Sequence, residues 1–327
     1  VTSYLVKNEK KNGLLLTVSE WGKRDGTPVF LLHGTPGSRL GVVPRPSVLY
    51  QLGIRLIAYD RPGYGDTERV VGRTIASAAD DVKAIADELG IREFAVVGRS
   101  GGAPHALACA ALLPQRVTRV AALVSVAPKV GPDGMGPRWT EGMTQGNVDV
   151  YAHAALGIDA LATGLNIRSE SIRADPDTMF SQLRDEVHAS DLEVISDAGI
   201  RGMLRTNYHE ALRDTGNGWI DDAMAFIADW GFRLDEIKVP VLLWHGEDDV
   251  FSPVEHSVWL KQHIPGAELR LEPGKAHFNA MTVLPDLLPW LRQPRPAEPT
   301  LPAGPTLPVE PTHSAEPTHP AVPTHPP

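Results

Sequence analysis

The chain has 327 residues, 42% hydrophobic and 22% charged, with a formal net charge of −9. That is enough apolar material for one large domain or two small ones, at a composition ordinary for a globular protein. The negative balance and the lack of any Lys/Arg stripe argue against a nucleic-acid surface. No apolar run approaches the ~18 residues a membrane helix needs, and a single cysteine, Cys109, forbids an intrachain disulfide. Residues 1–11 lack the apolar core of a signal peptide, so a cytoplasmic location is expected.

In chain order, Tyr4–Lys7 and Leu14–Trp21 read as strands. Short apolar runs follow at Val29–Leu32, Leu56–Tyr59, Phe94–Val97, Val120–Val126 and Val239–Trp244, with a shorter one at Leu269–Leu271. Such runs, bounded by Gly, Pro or Asp, suit strands covered on both faces of a parallel sheet. Between them lie helical patterns. Ile75, Ala79, Val82, Ile85, Ala86 and Leu89 share a face before Gly90; Ala106–Leu113 is Ala/Leu-rich; Pro253–His263 opens on a proline. This alternation predicts a mostly parallel α/β sheet flanked by helices.

The alternation breaks across residues 129–235, which read as helices joined by Gly- and Pro-bearing loops and carry essentially all of the net negative charge. The expected domains are therefore a core in two parts, 1–128 and 236–293, with a helical cap at 129–235 between consecutive strands. From Pro294 a hexapeptide beginning Glu298-Pro-Thr repeats to Pro327. Its proline spacing predicts a polyproline II, disordered tail at 294–327. His313, His319 and His325 stand six residues apart, about 19 Å in polyproline II, too far to share one ion. No metal or organic cofactor is expected.

Gly98-Arg99-Ser100-Gly101-Gly102 lies between a predicted strand and helix. A serine on so tight a turn needs small residues two positions away, and the turn aims its hydroxyl outward at a helix N-terminus. Ser100 is the candidate nucleophile. Upstream, His33-Gly34-Thr35-Pro36-Gly37 closes another strand and can aim the Thr35 N–H at the same point as the Gly101 N–H, a pair able to form an oxyanion hole. His33 reads as an orienting residue.

A serine needs a base, and the base an acid. Two loops at strand ends supply candidates: His245-Gly246-Glu247-Asp248-Asp249 and Glu272–Phe278, which holds His277. His277 is the candidate base. Asp249 is preferred as the acid over Asp248, with Asp133 an outside choice; His105 and His245 read as supporting groups. The order Ser, Asp, His is that of one hydrolase fold.

These windows, together with Asp60-Arg61-Pro62-Gly63-Tyr64-Gly65, resemble the α/β-hydrolase superfamily, in its large group with a helical cap. The resemblance covers about residues 4–293 and implies an α/β-hydrolase fold. Ser100 argues against relatives with an aspartate nucleophile. The His-Gly-x-Pro-Gly turn is similar to that of proline iminopeptidases, which usually have glycine where Thr35 stands and tryptophan where Gly101 follows the serine. The expected activity is a serine carboxylesterase, acting on a small-molecule ester, thioester or lactone through an acyl-serine. One alternative is a proline iminopeptidase-like aminopeptidase, its acidic cap holding a substrate ammonium; against it, the cap acids read as solvated helix faces. The other alternative is a ligand-binding protein on the same fold.

Overall fold

The computed structural model describes residues 1–184 and 186–295; the repeat expected from Glu298 and its histidines lie outside the described residues. Val1–Arg295 forms one compact unit. Eight strands build one sheet: β1 (Thr2–Asn8), β2 (Leu14–Gly22), β3 (Thr27–Leu32), β4 (Ile54–Tyr59), β5 (Phe94–Arg99), β6 (Val117–Leu123), β7 (Val241–Gly246) and β8 (Glu268–Glu272). Their order is β1-β2-β4-β3-β5-β6-β7-β8. β1 pairs antiparallel with β2 and β2 antiparallel with β4, and the remaining pairs are parallel, the mostly parallel arrangement expected.

The apolar runs look continuous because both faces of the sheet are covered. Successive side chains point to opposite faces. Val29, Leu31, Ala95, Val97, Ala121, Leu123, Leu242 and Trp244 pack with Leu49 of α1 (Pro46–Gln51) and Leu284, Leu287, Leu288 and Leu291 of a C-terminal helix. Phe30, Leu32, Val96, Val120, Ala122 and Leu243 pack on the other side, against α2 (Ser77–Glu88) and α3 (Gly102–Leu112).

Between β6 and β7 the chain leaves the sheet for α4 (Gln145–Leu156), α5 (Ile158–Ala174), α6 (Asp177–Leu183), α7 (Ala189–Ser196), α8 (Ala198–Ala211) and α9 (Asn217–Ile227). It returns through β7, α10 (Glu255–His263), β8 and α11 (Leu284–Leu291). The helix expected from Ala106 begins at Gly102, directly after the serine turn, and the one expected from Pro253 begins at Glu255. Neither α1 nor α11 is among the helices expected from the sequence: α1 has only six residues, too few to show a period, and α11 sets Leu284, Leu287, Leu288 and Leu291 on one face but carries Pro289 inside it.

Candidate active site

The serine turn is built by contact. A Cβ on Gly98 would run into the Gly102–Ala103 backbone, and one on Gly102 into the carbonyls of Leu32 and His33. Ser100 sits between them at φ 50°, a left-handed conformation that costs a non-glycine residue roughly 1–2 kcal/mol. The turn is held because the Ser100 N–H donates to Leu123 O (2.8 Å) and Ser100 O accepts from the Ala103 N–H (2.9 Å). The hydroxyl is thereby left at the N-terminus of α3.

His277 opens a short 3-10 helix, His277–Met281, after β8. Its Nε2 lies 3.0 Å from Ser100 Oγ and its Nδ1 2.8 Å from Asp249 Oδ2. Nδ1–H donates to the carboxylate, which leaves Nε2 as an acceptor facing the serine. Asp249 is fixed by its own turn: Oδ1 accepts from the N–H groups of Phe251 (2.8 Å) and Ser252 (3.0 Å). His245 Nε2 lies 3.2 Å from Asp249 Oδ2 and donates to Ser252 O at 2.6 Å. Asp248 points away, 36% exposed and 3.8 Å from His188, while Asp133 accepts from the Leu234 N–H at 2.9 Å. The structure thus brings Ser100, His277 and Asp249 together and leaves the other two acids out.

Burial opposes ionisation of Asp249, but the His277 charge and hydrogen bonds from His245 and His277 outweigh it and hold the carboxyl well below the usual carboxylate range. Burial likewise disfavours imidazolium at His277, yet Asp249 and, more weakly, Asp191 lift it above its ordinary value.

Thr35 and Gly101 meet across the cleft, since a Cβ on Gly101 would press on the Thr35 side chain and on Phe226. Beneath this turn lies Arg61, 1% exposed. It donates to the carbonyls of His33 (2.5 Å) and Gly34 (3.1 Å), which turns the peptide N–H groups of that loop the other way. His33 Nε2 accepts from the Arg61 N–H at 3.3 Å and Nδ1 donates to Gly34 O at 2.8 Å. Burial and the Arg61 charge hold its pKa well below the ordinary value, so His33 is a neutral strut. His105 Nδ1 donates to Gly101 O at 2.8 Å, and burial pulls its pKa down to about 3.

Two groups of the helical insertion, missed by the sequence reading, reach this machinery. Asp222 of α9 accepts from Thr35 Oγ1 (2.5 Å), Arg61 Nη2 (2.6 Å) and Tyr64 OH (2.8 Å), and pairs with Arg73 Nη2 at 2.7 Å. Burial opposes its charge, but Arg61 and Arg73 hold it well below the carboxylate range. Asp191 of α7 accepts from the Phe278 N–H at 2.6 Å, and burial raises its pKa to about 6. Both acids are fully buried, exceptions to the expected solvated helix faces, on which most described acids of the insertion do lie. The cavity at Ser100 is roofed by Asn147, Tyr151, Arg168, Tyr208, Trp219 and Phe226 of the insertion.

A sequence profile of the family described as "alpha/beta hydrolase fold" matches residues 27–149. The chain is 26% identical over 297 residues to "Bifunctional esterase/perhydrolase DCH" of Acinetobacter calcoaceticus, covering 86% of this chain and 98% of the relative. It is 26% identical over 289 residues to "Non-heme chloroperoxidase" of Burkholderia pyrrocinia, covering 85% and 94%. Among solved structures, the esterase EaEST from Exiguobacterium antarcticum superposes with a TM-score of 0.63 at 19% identity, over 89% of this chain and 100% of that one. The sheet order, the serine turn and this match agree, and the chain has the α/β-hydrolase fold.

Proposed function

We propose that the protein is a serine hydrolase that cleaves a small carboxylic ester, thioester or lactone through an acyl-serine. The observation that carries this reading is the unbroken chain Ser100 Oγ, His277, Asp249, with links of 3.0 and 2.8 Å. His277 Nε2 takes the hydroxyl proton as Oγ attacks the carbonyl carbon. Asp249 fixes the ring and offsets the imidazolium charge. The N–H groups of Thr35 and Gly101 receive the developing oxyanion; loss of one such donor typically costs roughly 10² to 10³ in rate. His277 then protonates the leaving alkoxide, and a water activated by the same nitrogen releases the acid.

The curated relative named as an esterase supports the bond type. The aminopeptidase alternative needs a carboxylate facing the cavity to hold an ammonium, and no Asp or Glu lines it among the described residues. The helices between β6 and β7 act as a lid that shapes the acyl site.

The test is labelling by a fluorophosphonate together with hydrolysis of p-nitrophenyl esters. Wild type labels and turns over, and Ser100→Ala does neither. Asp249→Asn falls by about 10⁴ in kcat, whereas Asp248→Asn stays within about twofold, as expected away from the site. Equal labelling of wild type and Ser100→Ala defeats the assignment, and labelling without turnover of any ester would favour a ligand-binding protein.

A further inference from the structure

Resting on that reading, we propose that the substrate is anionic: an ester bearing a carboxylate, which is held under the insertion by Arg168 and Tyr208. The overall charge is −9 and the insertion holds essentially all of it, yet the cavity it roofs is lined by Arg39, Arg99 and Arg168 and by no Asp or Glu among the described residues. Among the described residues, the acids of the insertion stay out of the cavity, and the one charged side chain the insertion turns into it is Arg168.

The three arginines are not alike. Arg39 is neutralised by Asp60 and Glu210. Neither Arg99 nor Arg168 has a carboxylate within ion-pair distance among the described residues, where every other cavity cation is paired. Arg99 directly precedes Ser100 and is 5% exposed. It donates Nη1 to Val42 O at 2.5 Å, while its Nε and Nη2 find no partner. Burial lowers its pKa to about 10, so it remains a cation at neutral pH. A buried charge without a counter-charge is costly, and an anion entering the cavity offsets that cost through its field.

Arg168 supplies the contact. Its Nε donates to Gln182 Oε1 at 3.0 Å and its guanidinium lies 5.1 Å from the Trp219 ring centroid. The ring contact and the Nε bond restrain the fork, and its Nη groups have no protein hydrogen-bond partner among the described residues. A preorganised planar fork of this kind suits the two oxygens of a carboxylate. Tyr208 lines the same cavity, 5% exposed, and its hydroxyl bonds to no described residue. Burial raises the Tyr208 pKa and the Arg168 charge opposes that rise; both side chains line the one cavity. Together they offer an oxyacid two kinds of donor. An ammonium or a neutral chain would leave the guanidinium unmatched.

The experiment compares kcat/KM for two matched pairs: p-nitrophenyl hydrogen glutarate against p-nitrophenyl pentanoate, and 4-acetoxybenzoate against phenyl acetate. In at least one pair the wild-type enzyme favours the anionic member by about tenfold or more, the worth of one good charge-assisted contact. Arg168→Gln removes most of that preference and Arg168→Lys keeps a larger part of it. Arg205→Gln, on an exposed arginine of α8 paired with Asp177, leaves the ratio as in wild type. An enzyme labelled at Ser100 that favours the neutral member of both pairs overturns the inference. So does one that turns over neither anionic ester, or one whose preference survives Arg168→Gln. Absence of labelling at Ser100 instead defeats the underlying serine-hydrolase reading.

Discussion

Asp222→Asn separates the buried charge network from the rest of the fold. The carboxylate is fully buried and meets Arg61 at 2.6 Å, Arg73 at 2.7 Å, Tyr64 at 2.8 Å and Thr35 at 2.5 Å. An amide fits the same space but carries no charge, and its NH₂ faces donors on one side. Two guanidinium groups are then left in the interior without their shared counter-charge. Breaking such a buried pair typically costs about 3–5 kcal/mol, which for a domain of this size lowers Tm by on the order of 10 °C. Activity falls too, because Thr35 loses the acceptor that holds its side chain, although Arg61 still grips the His33 and Gly34 carbonyls. The companion is Asp221→Asn. Asp221, itself buried, pairs at 2.7 Å with Arg69, which is 28% exposed and reaches water, so Arg69 is resolvated when the charge is lost and the cost is about 1–2 kcal/mol, below that at Asp222. Thermal melts of both variants, with fluorophosphonate labelling rates read well below either Tm, give the comparison. If the two variants melt together, the reasoning about Asp222 is wrong. The linkage agrees in sign: a depressed folded pKa gives stability that is present above the unfolded carboxylate value, near 3.9, and lost as pH falls through the folded value. Wild type therefore loses this contribution in acid, and Asp222→Asn has none to lose.

Three further predictions concern the catalytic groups. The His277 pKa lies above its ordinary value, so kcat/KM rises with pH through a point above about 6.5, the unperturbed histidine value; the stabilisation from its pairing is full below that value and fades as pH climbs through the folded one. Asp191→Asn keeps an oxygen for the Phe278 N–H but removes a negative charge near His277, so the acid limb of the profile moves to lower pH; a limb that stays put or moves up contradicts the charge assignment. Gly101→Ala drives a methyl into the Thr35 side chain and Phe226, and labelling of Ser100 slows by about 10² or more, as when an oxyanion donor is lost; a rate within a few-fold of wild type would place Thr35 outside the oxyanion site.

What the sequence disclosed follows from how local each constraint is. The serine turn is legible because Gly98 and Gly102 are required by contacts within a few residues and across to β3. Asp249 is preferred over Asp248 on its spacing, three residues after Gly246 and four before Pro253, and the structure supplies a local reason, since its side chain closes a turn on Phe251 and Ser252. Asp191 and Asp222 left no such trace. Their partners lie 87 residues away at Phe278 and 187 residues away at Thr35, and within their own helices they look like polar positions. Arg99 stands inside the serine motif, but its lack of a carboxylate partner among the described residues exists only once the cavity is assembled.

The two acids of the insertion carry a consequence for how such enzymes diversify. A lid that only roofed the pocket could be exchanged between relatives like a removable part, carrying its specificity along. Here α9 braces the turn that bears Thr35 through Asp222, and α7 braces the loop that bears His277 through Asp191. A transplanted lid lacking either carboxylate would change the substrate and disable the chemistry in one step. The inward positions around Arg168, Tyr208 and Trp219 are the ones where pocket shape can change while the two braces stay in place.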